Sequence, residues 1–297
     1  LEEEFYIAEE DLTPSMRLIR FYFHRVSALT PRVATKLFWH LFTKPRPRKF
    51  AKTDESFYEK ASQEKVLSQK FKAEFLLNKR GNGDNRVLIL HGWEGRSSDF
   101  SKLITQLEKV ATVYALDFPG HGKSPKSRAH LPMFVDVIES ALNHLAEVDT
   151  VIGHSLGAAS LAMAVGQGDY SNQLKNLVFM GLHPEPSQYF LQYKRVTKVN
   201  DIVFERCVRM AEEKTSAKLL DYSCYNYLEK YERFAMHFIH DEKDKIIRVD
   251  RVEDLANKLS DSEVFKGDHG GHFRHYKSDE VIEYILKISS EIDAKKD

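Results

Sequence analysis

Only two cysteines, Cys207 and Cys224, occur among 297 residues, too few for a disulfide framework, so stability has to come from a buried core. No apolar run is long enough to span a bilayer. Lysine plus arginine balance aspartate plus glutamate at 44 each, so the chain as a whole offers no field that would gather nucleic acid. No pair of the thirteen histidines sits at metal-ligand spacing beside a matching carboxylate or thiol, and no metal is expected. No glycine-rich loop is built to cradle phosphate, since Gly81-Asn82-Gly83-Asp84 reads as a turn, and no cofactor is expected. Repeats and low-complexity tracts are missing, and no feature assigns an oligomeric state. The opening Leu1-Glu2-Glu3-Glu4-Phe5 has neither the basic start nor the apolar run of a secretory signal, which makes a cytoplasmic location the expectation. What remains is an ordinary globular composition, 42% hydrophobic and 30% charged, in a chain that can bury one large core or two modest ones.

Charge is distributed unevenly. Residues 2 to 11 carry Glu2, Glu3, Glu4, Glu9, Glu10 and Asp11, and acid then disappears until Asp54. Between them Arg17, Arg20, Arg25, Arg32 and Lys36 alternate with Phe21, Tyr22, Phe23, Phe38 and Trp39. This predicts an N-terminal helical arm with its linker over residues 1–60, ended by Pro45 and Pro47. Two readings of the arm stand open: packing on the rest of the protein with its arginines in water, or peripheral contact with an anionic membrane surface.

Beyond the linker, strand and helix signals alternate. Phe71, Ala73, Phe75 and Leu77 alternate as in a half-buried strand. Val87–Leu90, 112–116, 150–152, 177–180 and 236–239 are short apolar runs of the kind buried in a parallel sheet. Helical segments are expected at 98–109, 132–147, 155–166, 249–259 and 278–290, giving an α/β sheet covered on both faces. From 183 to 233 the pattern is helical only, which predicts a lid inserted between two strands, with the core formed by 66–182 and 234–297. The lid aromatics, among them Phe190 and Phe204, are expected to pack mostly against the sheet, with a minority facing a small-molecule acyl or aryl substrate.

The chemistry concentrates in Gly153-His154-Ser155-Leu156-Gly157, a Gly-x-Ser-x-Gly elbow between an apolar run and an alanine-rich helical segment. A side chain at either glycine would collide where strand and helix nearly touch. Ligands of open parallel sheets bind at the strands' carboxyl ends. There the chain places His91-Gly92-Trp93, Asp117, Ser155, His240-Asp241-Glu242-Lys243-Asp244 and, near the end, His269 and His272. Serine, acid and base thus occur in that order, with Asp241 and Asp244 both candidates for the acid and His269 and His272 for the base. His91, Asp117 and His121 are expected to shape loops.

These motifs resemble the α/β-hydrolase superfamily from about residue 66 onward. The stretches His91–Arg96, Pro119–Pro125 and His240–Asp244 are similar to a bacterial subgroup of serine hydrolases without a settled substrate. The resemblance implies Ser155 as nucleophile, Asp244 as acid and His272 as base, with the Trp93 and Leu156 amides as oxyanion hole. It implies a cofactor-independent serine hydrolase, carboxylesterase-like, cleaving a carboxylic ester or thioester. The same three residues would also serve an acyltransferase, amidase or C–C hydrolase, and the fold alone would serve a non-catalytic membrane-surface binder.

Overall fold

The computed structural model describes residues 13–294, so the carboxylates of residues 2–11 lie outside the described residues. In chain order the strands are β1 (Ser62–Leu67), β2 (Glu74–Arg80), β3 (Asn85–Leu90), β4 (Ala111–Asp117), β5 (Thr150–His154), β6 (Asn176–Met180), β7 (Ala235–Asp241) and β8 (Ser262–Gly267). The helices are α1 (Pro14–Phe21), α2 (Pro31–Thr43), α3 (Lys52–Glu59), α4 (Ser101–Leu107), α5 (Leu131–Leu145), α6 (Leu156–Gln167), α7 (Gln188–Thr197), α8 (Asp201–Thr215), α9 (Leu228–Tyr231), α10 (Val249–Ala256) and α11 (Asp279–Ala294).

The strands form one sheet in the order β1-β2-β4-β3-β5-β6-β7-β8. β2 runs antiparallel to both β1 and β4, and every other pairing is parallel. The continuous apolar runs of β3, β5 and β6 are buried because helices cover both faces of the sheet. Val87, Ile89, Ile152, Val178 and Ile239 pack with Leu103, Ile104 and Leu107 of α4 and with Val281 and Ile285 of α11.

Three strand features depart from the pattern read in the sequence. The strand expected from Phe71 starts at Glu74, because Asp136 takes the amides of Lys70 and Phe71 at 2.9 Å each and Lys72 turns the chain at φ +51°. β1 and β8 carry no signal that reads as a strand. Both are edge strands: Ser62-Gln63-Glu64-Lys65 faces water, and β8 is at most half-buried.

The seating of α6 against β5 and the end of β3 depends on two missing side chains. A Cβ at Gly153 would stand 2.7 Å from Ala158 Cα, and one at Gly157 would stand 2.4 Å from the His91 carbonyl oxygen and 2.9 Å from that of Leu90. Backbone atoms cannot swing aside as a side-chain end can. Gly157→Ala is therefore expected to destabilise the protein by about 3 kcal/mol, read as a lower guanidinium midpoint at unchanged slope. An unchanged midpoint would mean that the two strand ends yield freely.

Contacts divide the described residues into two compact units, 45–184 with 224–294 and 13–44 with 185–223. The first holds the sheet. In the second, α2 packs with α7 and α8, and Phe23, Phe38, Phe190, Val203 and Phe204 are its core. Phe38 meets Phe190 edge-on at 5.4 Å and Phe204 at 6.2 Å, so these two aromatics, expected against the sheet, pack on the N-terminal helices. Asn200 caps α8 through Val203 N–H and donates to Ser27 Oγ at 2.6 Å, and Arg20 Nε donates to the Val196 carbonyl at 2.6 Å. Cys207 and Cys224 are free and buried.

Candidate active site

Ser155 ends β5 in a conformation rare for a residue with a Cβ, φ +51° and ψ −119°, which turns the chain sharply into α6. Its amide donates to the Met180 carbonyl at 2.9 Å, tying the elbow to β6. The turn leaves the side chain partly exposed at the sheet's carboxyl edge, with Oγ 2.8 Å from His272 Nε2. On the other side of that imidazole, Nδ1 lies 2.7 Å from Asp244 Oδ2. With Nδ1 protonated, His272 donates to the carboxylate and leaves Nε2 free to accept the serine proton.

Asp244 is held by more than the imidazole. Its other oxygen accepts the Ile246 and Ile247 amides at 2.7 and 3.0 Å. Burial opposes ionisation, but the His272 hydrogen bond and charge, with those two amides, outweigh it and hold the carboxyl below its ordinary value. Asp241 occupies a different setting. It accepts the Lys243, His269 and Gly271 amides at 2.7, 2.6 and 2.8 Å, fastening the end of β7 to the loop that carries His272. Burial raises its pKa, and these amides more than reverse the effect. His269 stacks on Phe265 at 5.2 Å and makes no hydrogen bond to Ser155 among the described residues.

Two further histidines act on the same loop and carry no mark in the sequence that separates them from core histidines. His154 Nε2 and His275 Nδ1 both donate to the main-chain carbonyl of His272, at 2.7 and 3.0 Å. His154 is the variable residue of the elbow, so the turn that presents the serine also grips the backbone of its imidazole partner.

Trp93 and Leu156 flank the serine through backbone. A Cβ at Gly92 would come within 3.0 Å of Ser155 Cβ, so the β3 loop runs directly against the elbow and brings Trp93 with it. Leu156 opens α6, where first-turn amides have no partner inside the helix and the dipole is positive. Neither amide is engaged in a hydrogen bond among the described residues. Loop shape comes from other side chains. His91 Nδ1 donates to the Gly92 carbonyl at 2.7 Å while Nε2 accepts the Phe118 amide at 3.1 Å. Asp117 takes the Ser97 and Lys123 amides and the Tyr58 hydroxyl at 2.7, 2.9 and 2.8 Å, and His121 Nδ1 donates to the Pro119 carbonyl at 3.0 Å. Among the described residues no group of three or more His, Cys, Asp or Glu is placed to hold a metal ion.

Burial makes these histidines acid-sensitive. It depresses His91, His130 and His275 to about 4 and His121 to about 3, the His275 shift being reinforced by the charge of His272 and the His121 shift by that of His91. An unfolded histidine titrates near 6.5, so between that value and about 4 the unfolded chain binds more protons than the folded one. Stability is complete above pH 6.5 and drains as pH falls. Denaturant titrations from pH 7.5 to 4.5 are expected to show a steady loss of stability, about 2.5 kcal/mol for each histidine so held; a flat profile would contradict neutral burial.

Comparison with known proteins agrees with this architecture. A family model described as the alpha/beta hydrolase fold matches residues 85–209. A probable serine hydrolase of Drosophila melanogaster is 34% identical over 83 residues, 25% of this chain and 24% of the fly protein, so the match spans about a quarter of that relative. A thermophilic esterase from Thermogutta terrifontis superposes with a TM-score of 0.56 at 16% identity, covering 78% of this chain and 99% of the esterase. A haloalkane dehalogenase variant from Bradyrhizobium elkanii superposes with a TM-score of 0.59 at 13% identity, covering 80% and 98%. At such identities these likenesses establish the fold alone, and an esterase and a dehalogenase share it. The chain has the alpha/beta hydrolase fold, and the part that matches the family model carries the elbow serine.

Proposed function

We propose that the protein is a cofactor-independent serine hydrolase that cleaves a carboxylic ester or thioester through an acyl-enzyme on Ser155. The observation that carries the reading is the continuous relay from Ser155 Oγ to His272 to Asp244, at 2.8 and 2.7 Å. A serine hydroxyl is a weak nucleophile at neutral pH until a base takes its proton. His272 Nε2 takes it as Oγ attacks the acyl carbon, and Asp244 stabilises the imidazolium that forms. The Trp93 and Leu156 amides stabilise the oxyanion of the tetrahedral intermediate, each donor being worth about 3 kcal/mol in such sites. The imidazolium gives its proton to the departing alcohol or thiol, and the acyl group stays on Oγ. Water deprotonated by His272 then attacks the ester, releases the acid and restores the hydroxyl.

The serine at the elbow favours this chemistry over routes that need an aspartate nucleophile. The serine hydrolase name of the fly relative points the same way. At the end of β6, Gly181 turns the chain at φ +59°, and a Cβ there would stand 3.1 Å from His272 Cε1, so the imidazole needs a glycine at that position.

The test is a panel of aryl esters and thioesters of rising acyl length, run on wild type and Ser155→Ala. Turnover that peaks at one acyl length and vanishes in the variant is expected. Turnover equal in both proteins would remove the proposal. Acyl transfer to an added alcohol in preference to release of the acid would replace hydrolysis by transfer.

A further inference from the structure

The aromatic and aliphatic side chains of residues 13–44 divide into two sets. Phe23, Phe38 and Trp39 are buried in their own unit, whereas Leu18, Phe21, Leu29 and Val33 are 68%, 60%, 82% and 60% exposed. Leu18 and Phe21 stand three residues apart on α1 and so share a helix face. Leu29 and Val33 are four apart across the start of α2. Scattered single apolar side chains on a surface need no explanation, but here four fall within sixteen residues of chain.

The charge along this segment has one sign. Arg25, Arg32 and Lys36 are exposed and make no ion pair among the described residues, and no aspartate or glutamate occurs from Thr13 to Thr53. Across the whole unit, residues 1–44 and 185–223, thirteen lysines and arginines stand against twelve aspartates and glutamates, six of which lie in residues 2–11, outside the described residues, so the basic character is local to residues 13–53.

We infer that the segment Leu18–Lys36 docks peripherally on an anionic phospholipid surface, with Leu18 and Phe21 entering the boundary of the acyl region and Arg25, Arg32 and Lys36 meeting lipid phosphates. Such a surface meets both features at once, because it accepts apolar side chains between headgroups and offers phosphates to the three exposed cations. A second copy of the same segment would bring cations against cations. Among the described residues no helix is long and apolar enough to cross a membrane. The inference does not depend on the proposed chemistry.

The experiment is co-sedimentation of the full chain, which keeps the carboxylates of residues 2–11 in play, with vesicles of phosphatidylcholine alone or mixed with phosphatidylglycerol, at low and high salt. Binding to the mixed vesicles at low salt is expected, weakened by high salt and absent from the neutral ones. Leu18→Ser with Phe21→Ser should lower the affinity about tenfold or more, as should Arg25→Gln with Arg32→Gln, each tenfold being about 1.4 kcal/mol. Circular dichroism and turnover of a soluble ester should match wild type, so that loss of fold or of catalysis is told apart from loss of docking. Wild type that stays in the supernatant, equal binding to neutral vesicles, or variants that bind like wild type would overturn the inference. So would variants that change the oligomeric state in sedimentation velocity, which would assign the segment to a second copy.

Discussion

Ser155→Ala is expected to lower kcat/KM on the best ester of the panel by about 10^5-fold with thermal stability within about 1 kcal/mol of wild type. The hydroxyl is the only atom lost, and the elbow is held by groups that remain: the Ser155 amide on Met180, the bare approach at Gly153 and Gly157, and the His154 grip on the His272 carbonyl. Residual rate over water would come from the Trp93 and Leu156 amides. A variant that keeps a tenth of the activity would mean that another group attacks the acyl carbon.

Asp244→Asn should cost nearly as much, about 10^4-fold in kcat, for a different reason. The shape of the side chain survives and Oδ1 can still take the Ile246 and Ile247 amides. An amide nitrogen facing His272 Nδ1, however, donates where the carboxylate accepted, and drives the imidazole to the tautomer that carries its proton on Nε2. That proton blocks acceptance from Ser155 Oγ. Because the Asp244 carboxyl is held below its ordinary value, wild-type activity should show no acid limb from this group down through the usual carboxylate range. Asp241→Asn is the informative contrast. Asp241 binds three main-chain amides and no imidazole, so its loss should show as a lower melting temperature and a mobile His272 loop, with a smaller loss of kcat. If Asp241→Asn abolishes turnover while Asp244→Asn is mild, the acid has been assigned to the wrong carboxylate.

How much of this could be read in advance follows from what burial and contact leave in a sequence. The middle strands β3, β5, β6 and β7 announce themselves because covering both faces of a parallel sheet demands uninterrupted apolar runs. β1 and β8 are silent, since an edge strand in contact with water needs no such run. Ser155 is visible through its glycines: Gly157 is dictated by a carbonyl oxygen 2.4 Å from where a Cβ would be, a local demand that spacing records. The pair of donors on the His272 carbonyl is not visible, because its acceptor is main chain and any residue supplies one. Asp241 ends β7 and Asp244 follows three residues on; the residues alone left both open, the family resemblance pointed to Asp244, and the turn sets that carboxylate against the imidazole. The arm is the clearest case of a composition that underdetermines structure. Phe21 and Phe23 stand two residues apart in one basic, aromatic stretch. Only the arrival of Phe190 and Phe204, more than 150 residues away in the chain, separates the buried ring from the exposed one.

The most direct measurement is peptide mapping of the intact protein after brief exposure to a fluorophosphonate. Fluorophosphonates phosphonylate a serine only where a neighbouring base activates it. The relay of Ser155, His272 and Asp244 predicts one adduct, on the peptide that carries Ser155, lost in both Ser155→Ala and His272→Ala. No adduct on folded wild type, or an adduct that persists in Ser155→Ala, would contradict it.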